Sequence, residues 1–535
     1  MSSSRIALVL AALAAVVLGM VAYPPSGVAH LALVDTEPAD GASSDAPVER
    51  VVLRFSVAGK LVGPGIRILN EQGEAVTASV RESADGTTFE ATPAAALEGG
   101  RFGVAWRVAA PDAHPISDAF TFAVAAASAA GPTPESDEAA SAPRPPGATG
   151  GGDTQPTVNA SDVDSPLTRA LEAPDDRGAK VVSGVGRALG YAGGLLAIGG
   201  LAFAAVAAVG TRRELTRLFS AVRLAGAVAL LGGAIGLVGR TWLLEGGGLA
   251  SAFSGSAVRD ALEGEAGLSL ALTAAGGLLV ALAARTAFRP APRVAIDAGS
   301  WESNRATRIV GGSIRNARLA VVGAAIIAVG AALDGHSASE GPRVLVWSAD
   351  LAHTLGAGVW FGGLVFLAGL LFARRRAGRP ANAAYSAVRF STLAGAGLTV
   401  AGVAGVALAI VVLPEPSALW ESTWGLLLIA KVALVALVAT VGGYNHFWLI
   451  PRLSALLETA RLTGEGRPDD DEPLTFGHGG AVGVAALPRQ EAPAVASSPT
   501  DEQIAQKLRR NAVAEVALLV AVVALTAALV GASAA

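Results

Sequence analysis

Cysteine is absent from this 535-residue chain, and its only two methionines are Met1 and Met20. Both lie in an amino-terminal stretch that reads as a secretory signal, so the processed chain offers a metal no sulfur at all. That excludes disulfides, thiolate metal sites and a cysteine nucleophile. It also excludes a soft-metal relay built on thioethers. Charge is scarce too: 16% of residues are charged, against roughly 25% in soluble domains. With 52% hydrophobic residues and a mean hydropathy of +0.51, the composition is that of a protein whose partner is the lipid bilayer. The formal net charge is −4, and no basic stripe with interleaved aromatics appears, which excludes a nucleic-acid partner. No P-loop, phosphorylated-aspartate motif or nucleotide site is present, which argues against an ATP-driven pump and for a binding or transport protein rather than an enzyme.

Six histidines remain as the scarce, chemically informative residues. The first, His30, follows a signal over residues 1–29: Arg5 is the charged start, 6–22 the apolar run, and Gly27-Val28-Ala29 the small-residue cleavage site. Cleavage there makes His30 the first residue, whose α-amine and imidazole can chelate one metal ion together. Asp112 and His114 supply a complementary pair in Asp112-Ala113-His114-Pro115. Pro115 biases His114 toward an extended conformation, in which positions two apart share a face. Three nitrogens and one carboxylate oxygen make a set that suits Cu(II). The competing reading makes His30 and His114 ordinary surface rings and Asp112 a turn cap.

Residues 30–125 carry short strands separated by Gly, Pro and Asp turns, at 51–57, 65–69, 102–108 and 119–124. That pattern predicts an exported all-β sandwich. Residues 126–182 are rich in Pro, Ser, Gly and Asp and are predicted to be a flexible linker. An all-α polytopic membrane domain of about eight helices follows, since a span needs roughly 20 apolar residues. The apolar stretches lie near 186–210, 219–244, 267–288, 318–338, 347–373, 386–413, 424–450 and 510–533. The first seven belong to a domain at 183–452; a polar loop at 453–508 precedes the last span at 509–535. Arginines gather after the first, third and fifth spans, while the alternate loops are acidic or neutral. The positive-inside rule then places the β domain and the carboxyl terminus outside the cytoplasmic membrane. It places the 453–508 loop inside, where His478 is read as solvated and idle.

Two histidines fall at one level of the bilayer. His336 closes the fourth span on its outer side, and His353 opens the fifth with Asp350 one turn earlier on the same face. Ionisable groups within spans are costly and usually line a pathway, so His336 and His353, with Asp350 as a further candidate, are read as an outer membrane metal site. Lys431, in the seventh span, either snorkels or joins the pathway. His446 sits among the aromatics Tyr444, Phe447 and Trp448, as a belt residue or as an inner exit ligand.

The exported half resembles the CopC copper-resistance proteins. The resemblance rests on His30, Glu37-Pro38-Ala39-Asp40-Gly41-Ala42, Leu53-Arg54-Phe55-Ser56, Trp106-Arg107-Val108 and Asp112-Ala113-His114-Pro115-Ile116-Ser117. It implies an immunoglobulin- or cupredoxin-like sandwich, with His30, Asp112 and His114 as Cu(II) ligands and exported copper chaperones as partners. Val57 stands where the family often has Glu, and the methionine-rich Cu(I) site of some relatives is missing. The membrane half resembles the CopD proteins, through Gly335-His336, His353 with Gly358-Val359-Trp360-Phe361-Gly362-Gly363-Leu364, Trp424 to Lys431, and Asn445. A CopC–CopD fusion implies capture of Cu(II) outside and copper movement across the cytoplasmic membrane, discussed as uptake. Two other functions fit the same residues: a haem- or redox-linked copper reductase using paired membrane histidines, and a copper sequestration module with a membrane anchor.

Overall fold

The structure is a computed structural model that describes residues 31–109, 115–125, 165–172, 176–253, 255–290, 309–334, 343–376, 383–413, 415–452 and 499–530. His30, Asp112, His114, His336 and His478 lie outside the described residues. The chain forms two compact units, one of Val28–Ala179 with Thr241–Asp260, the other chiefly of Lys180–Arg240 with Ala261–Ala535.

The first unit is the predicted β-sandwich. Its strands are β1 (Leu33–Glu37), β2 (Ser43–Ser44), β3 (Val51–Phe55), β4 (Lys60–Leu69), β5 (Ala75–Val76), β6 (Ala78–Glu82), β7 (Thr88–Pro93), β8 (Gly100–Ala109) and β9 (Pro115–Val124). One sheet runs β1-β3-β7-β6 and the other β2-β9-β8-β4-β5. Period-two alternation sends Val51, Leu53 and Phe55 of one sheet against Val104, Trp106 and Val108 of the other. Trp106 meets Phe55 edge-on at 5.0 Å.

Strand β8 is buried on both faces. Phe102, Val104, Trp106 and Val108 fill the core; Gly103, Ala105, Arg107 and Ala109 face the other way and are covered as well. The cover over Gly103 is α1 (Pro166–Leu171), whose Ser165 caps it by accepting the Thr168 N–H at 3.1 Å. A Cβ on Gly103 would lie 2.7 Å from Leu171 Cδ1, so a larger residue there would make the leucine side chains of this helix shift. The predicted linker therefore holds an ordered helix near its end, because Leu167 and Leu171 find an apolar seat.

Arg107, only 1% exposed, ties the unit together. Its Nη1 donates to Ser117 Oγ at 2.8 Å, its Nη2 to both Asp176 oxygens at 3.0 Å and also to the Leu243 carbonyl.

The second unit is helical. It contains most of α2 (Arg177–Val206) and α3 (Arg212–Glu245), joined through β10 (Val209–Thr211). The short α4 (Gly255–Leu262) leads to α5 (Glu265–Ala283), and β11 (Thr286–Pro290) and β12 (Ile309–Ile314) lead to α6 (Ala317–Ala332). Next, α7 (Arg343–Ala357) runs through a π-helical turn at Gly358–Gly362 into α8 (Gly363–Arg376). After α9 (Ala383–Val412) and the short α10 (Ala418–Glu421), α11 (Thr423–Tyr444) runs through a second π turn at Asn445–Leu449, and α12 (Pro499–Val530) closes the set. Each of the eight predicted apolar stretches contains a helix among its described residues. Among the described residues, six helices are long and apolar enough to cross a membrane by themselves, one of them the continuous Arg343–Arg374. The fourth stretch yields only Ala317–Ala332, 16 residues or about 24 Å at the usual rise. The third ends at Ala283, where the chain leaves for a strand rather than running on to 288.

That strand belongs to a feature the sequence reading does not anticipate, a three-stranded antiparallel sheet in the order β10-β12-β11. Arginines around it cap carbonyls at the end of α2: Arg389 Nε donates to Val206 O at 3.2 Å and Arg289 Nη2 to Ala205 O at 3.4 Å. Arg374, in the arginine run that closes the fifth span, is 1% exposed and bonds to the Val209 carbonyl.

The helices meet backbone to backbone. A Cβ on Gly199 of α2 would overlap main-chain atoms of Gly362 and Gly363, and one on Gly232 of α3 would overlap Gly190 of α2. Small residues at such crossings are what packing between helices in lipid requires. Replacing Gly199 by Leu meets backbone that cannot move aside, and we expect a loss of at least about 3 kcal/mol, read as a lower melting midpoint of the detergent-solubilised protein. Gly184→Ala is the control: nothing lies within 4 Å of the added Cβ, and the midpoint should hold within about 0.5 kcal/mol. In the sandwich unit, Arg107→Ala strands Asp176 without its guanidinium and should cost about 3–5 kcal/mol, measured by urea unfolding followed through tryptophan fluorescence.

Candidate metal sites

At the exported end, the neighbours of the predicted ligands come together although His30, Asp112 and His114 themselves lie outside the described residues. Ala109 pairs with Pro115 across β8 and β9, so residues 110–114 bridge the end of that hairpin. Leu31, the residue after His30, is buried in the sandwich core. A Cβ on Gly59 would lie 3.4 Å from Leu31 Cδ1 and 3.5 Å from Ala109 O, and would overlap the Val108 side chain. The backbone at 32 is pinned beside this point: Ala32 N donates to Ser56 Oγ at 3.0 Å, and Ser56 N to Ala32 O at 2.9 Å. Leu31 and the end of β8 therefore share one end of the sandwich.

In the helical unit, His353 lies on α7 with its Nδ1 2.7 Å from the Ala401 carbonyl of α9. A carbonyl only accepts, so Nδ1 carries the proton and Nε2 keeps its lone pair. Fixing an imidazole through one nitrogen so that the other can ligate is the usual arrangement of metal-binding histidines. Gly405 of α9 makes the space: a Cβ there would stand 3.0 Å from His353 Cε1. Asp350 is one turn earlier, and Lys431 of α11 is within electrostatic range of both Asp350 and His353.

Beside this helix lies a cavity of about 30 Å³ lined by Arg187, Tyr191, Ser269, Thr273, Asp334 and Thr354, among others. Such a volume holds one or two waters. Tyr191 donates to Asp334 Oδ2 at 2.7 Å, and Arg187 Nε lies 3.2 Å from the same oxygen. Arg240, also buried, donates its Nε to Ala261 O at 2.9 Å. Sequence reasoning passed over Arg187, Tyr191 and Arg240. Arg187 and Tyr191 stand four apart on one face of an apolar helix, and that spacing is the signal that was available.

His446 and its neighbour Asn445 face different ways, as adjacent helical residues must. His446 Nδ1 is 2.5 Å from Ser391 Oγ, its ring packs edge-on to Phe447, and Phe447 is 70% exposed. Asn445 is buried, with Nδ2 donating to Glu515 Oε1 at 2.5 Å and Oδ1 accepting from Asn511 Nδ2 at 2.7 Å. Glu515, a buried carboxylate in the last helix, also went unnoticed in the sequence; a lone acid in an apolar run is the clue. Among the described residues no three His, Asp or Glu side chains converge as a metal cluster.

Comparison with known proteins gives two family matches within this one chain. Residues 33–125 match the CopC domain, and residues 384–471 match copper resistance protein D. Copper resistance protein C of Pseudomonas syringae pv. tomato is 37% identical over 103 residues, which cover 18% of this chain and 81% of that protein. Among solved structures, CopC from Methylosinus trichosporium OB3b aligns at 26% identity and a TM-score of 0.17, covering 18% of this chain and 95% of its own. PcoC, a methionine-rich copper resistance protein from Escherichia coli, aligns at 27% identity and a TM-score of 0.16, covering 18% and 99%. The chain belongs to the CopC copper-resistance family through its β-sandwich, and carries with it a CopD domain, as a CopC–CopD fusion.

Proposed function

We propose that this copper-resistance protein captures Cu(II) outside the cytoplasmic membrane on His30, Asp112 and His114, and hands it to a membrane site at His336 and His353 for import. The observation that carries the reading is the meeting of Leu31 with the end of β8 at Gly59. It is what a chelate shared between the mature amino terminus and the 110–114 segment requires. The ligand types agree, since amine, imidazole and carboxylate favour Cu(II). His353 supports the second half, because its Nδ1 is committed to Ala401 and its Nε2 is left for a metal. Asp350, one turn away, is the nearest acidic candidate in sequence to offset the charge of the incoming ion. The arginine-rich loop ends put the sandwich and the carboxyl terminus outside, so cargo moves from the sandwich inward. His446 is assigned to the aromatic belt, held by Ser391.

The test is copper uptake into proteoliposomes carrying the processed protein. One extra residue ahead of His30 removes the free-amine chelate and should weaken Cu(II) binding at least about tenfold, with uptake at low copper falling in step. Unchanged uptake sinks the capture site. His353→Ala should lower uptake about tenfold or more while the sandwich still binds Cu(II) normally. Equal cellular copper in the wild type and a His336→Ala/His353→Ala variant would instead favour sequestration, and a Soret band in the purified protein would favour the haem reading.

A further inference from the structure

The cavity between α2, α5 and α7 contains a carboxylate whose partners are arranged for exchange rather than for permanence. Asp334 has a side chain only 7% exposed. Tyr191 and Arg187 both approach its Oδ2. Tyr191 forms an aligned hydrogen bond, whereas the closest atom of Arg187, Nε, stands 3.2 Å away and makes no hydrogen bond. The two-pronged grip that makes arginine–carboxylate pairs strong is therefore not the contact used here. Arg187 neutralises the charge of Asp334 without locking onto it.

Around this pair the remaining lining offers hydroxyls, from Ser269, Thr273 and Thr354. Arg240 is within electrostatic range of Asp334, and Asp350 of Tyr191. A buried carboxylate needs a positive partner in a low-dielectric setting. Thr354 directly follows His353, so the cavity touches the helix that carries the proposed membrane ligand.

We infer that Asp334 is a cation-binding carboxylate of the membrane unit, and that Arg187 is a tethered stand-in for the cargo, occupying Asp334 until a divalent copper ion displaces it. This rests on the reading that copper passes through the helical unit. It adds a gate: the ion must outcompete a guanidinium, and Arg187 restores neutrality when the ion leaves. It also specifies the cargo, because carboxylate and hydroxyl oxygens suit Cu(II) and serve Cu(I) poorly.

The opposed charges make the test directional. The full processed chain is used in detergent, with its exported site silenced by His114→Ala and one residue ahead of His30 and its membrane imidazoles by His336→Ala and His353→Ala, and Cu(II) binding is followed by equilibrium dialysis. We expect one remaining Cu(II) per chain. Arg187→Gln should tighten it at least tenfold by removing the competitor, and Asp334→Asn should weaken it at least tenfold. Arg187→Lys, which keeps the competing charge, should stay within about threefold of the parent. A merely structural ion pair would make Arg187→Gln and Asp334→Asn shift binding in the same direction or not at all, and either result overturns the inference. So does a protein that binds no further Cu(II) with either Arg or Gln at 187. If Arg187→Gln does not fold, Asp334→Glu against Asp334→Asn decides: binding kept by the first and lost by the second supports the site, and equal binding overturns it. Copper uptake by Arg187→Gln and Asp334→Asn in the otherwise unaltered protein separates the two readings. Binding shifts without any transport in the unmodified protein leave this site standing and remove the transport proposal, whereas transport without binding shifts does the reverse.

Discussion

Direct contact between helix backbones is the constraint on which the membrane unit depends. In lipid no hydrophobic force draws one apolar helix to another, so cohesion comes from close packing and from the few polar groups that find partners. Gly199 against Gly362 and Gly363, and Gly190 against Gly232, bring main chains as near as they can come. The π turn at Gly358–Gly362 falls at the first of these contacts. It inserts an extra residue per turn and so reorients α7 relative to α8. His353 lies before that break, and the contact with α2 falls at its end.

Packing so tight leaves little volume for polar atoms, and several of the buried polar side chains have a specific partner. His353 has the Ala401 carbonyl, Asn445 has Glu515 and Asn511, and Arg374 has the Val209 carbonyl. Asp334 differs in having two partners on one oxygen, one of them held only by charge. Cost explains the contrast. An unpaired polar group in a span is strongly unfavourable, so a permanent group is tied by an aligned hydrogen bond. A group that must release its partner is tied by something weaker.

Much of this was legible in the sequence, for reasons that differ by element. The eight helical stretches announced themselves because a span must be continuously apolar, and β3, β4, β8 and β9 because a sandwich strand alternates. The β10–β12 sheet did not: Val209–Thr211 is three residues long, and β11 and β12 lie in arginine-bearing segments that read as loop. Arg107 followed the alternation of β8, yet its burial depends on Asp176, 69 positions away, and on Leu243, 136 away. No local pattern predicts such partners. His353 stood out as a scarce residue in a span, but the atom that selects its tautomer belongs to Ala401, 48 positions on. Arg187 and Tyr191 were hidden in a glycine-rich helix whose apolar character dominated its reading.

The chemistry of the ligands runs in one direction through the proposed route. With neither cysteine nor a methionine beyond Met20, no point along it offers copper a soft donor. The proposed exported set would supply nitrogen with one carboxylate, His353 a single imidazole nitrogen, and the cavity at Asp334 oxygen. Such nitrogen and oxygen donors suit the divalent ion better than Cu(I). A cation so charged cannot enter a low-dielectric helical unit without a counter-charge waiting for it. The proposed pairing of Asp334 with a displaceable Arg187 would meet that need. A permanently bare carboxylate would destabilise the fold, and a neutral residue would give the ion nowhere to stop.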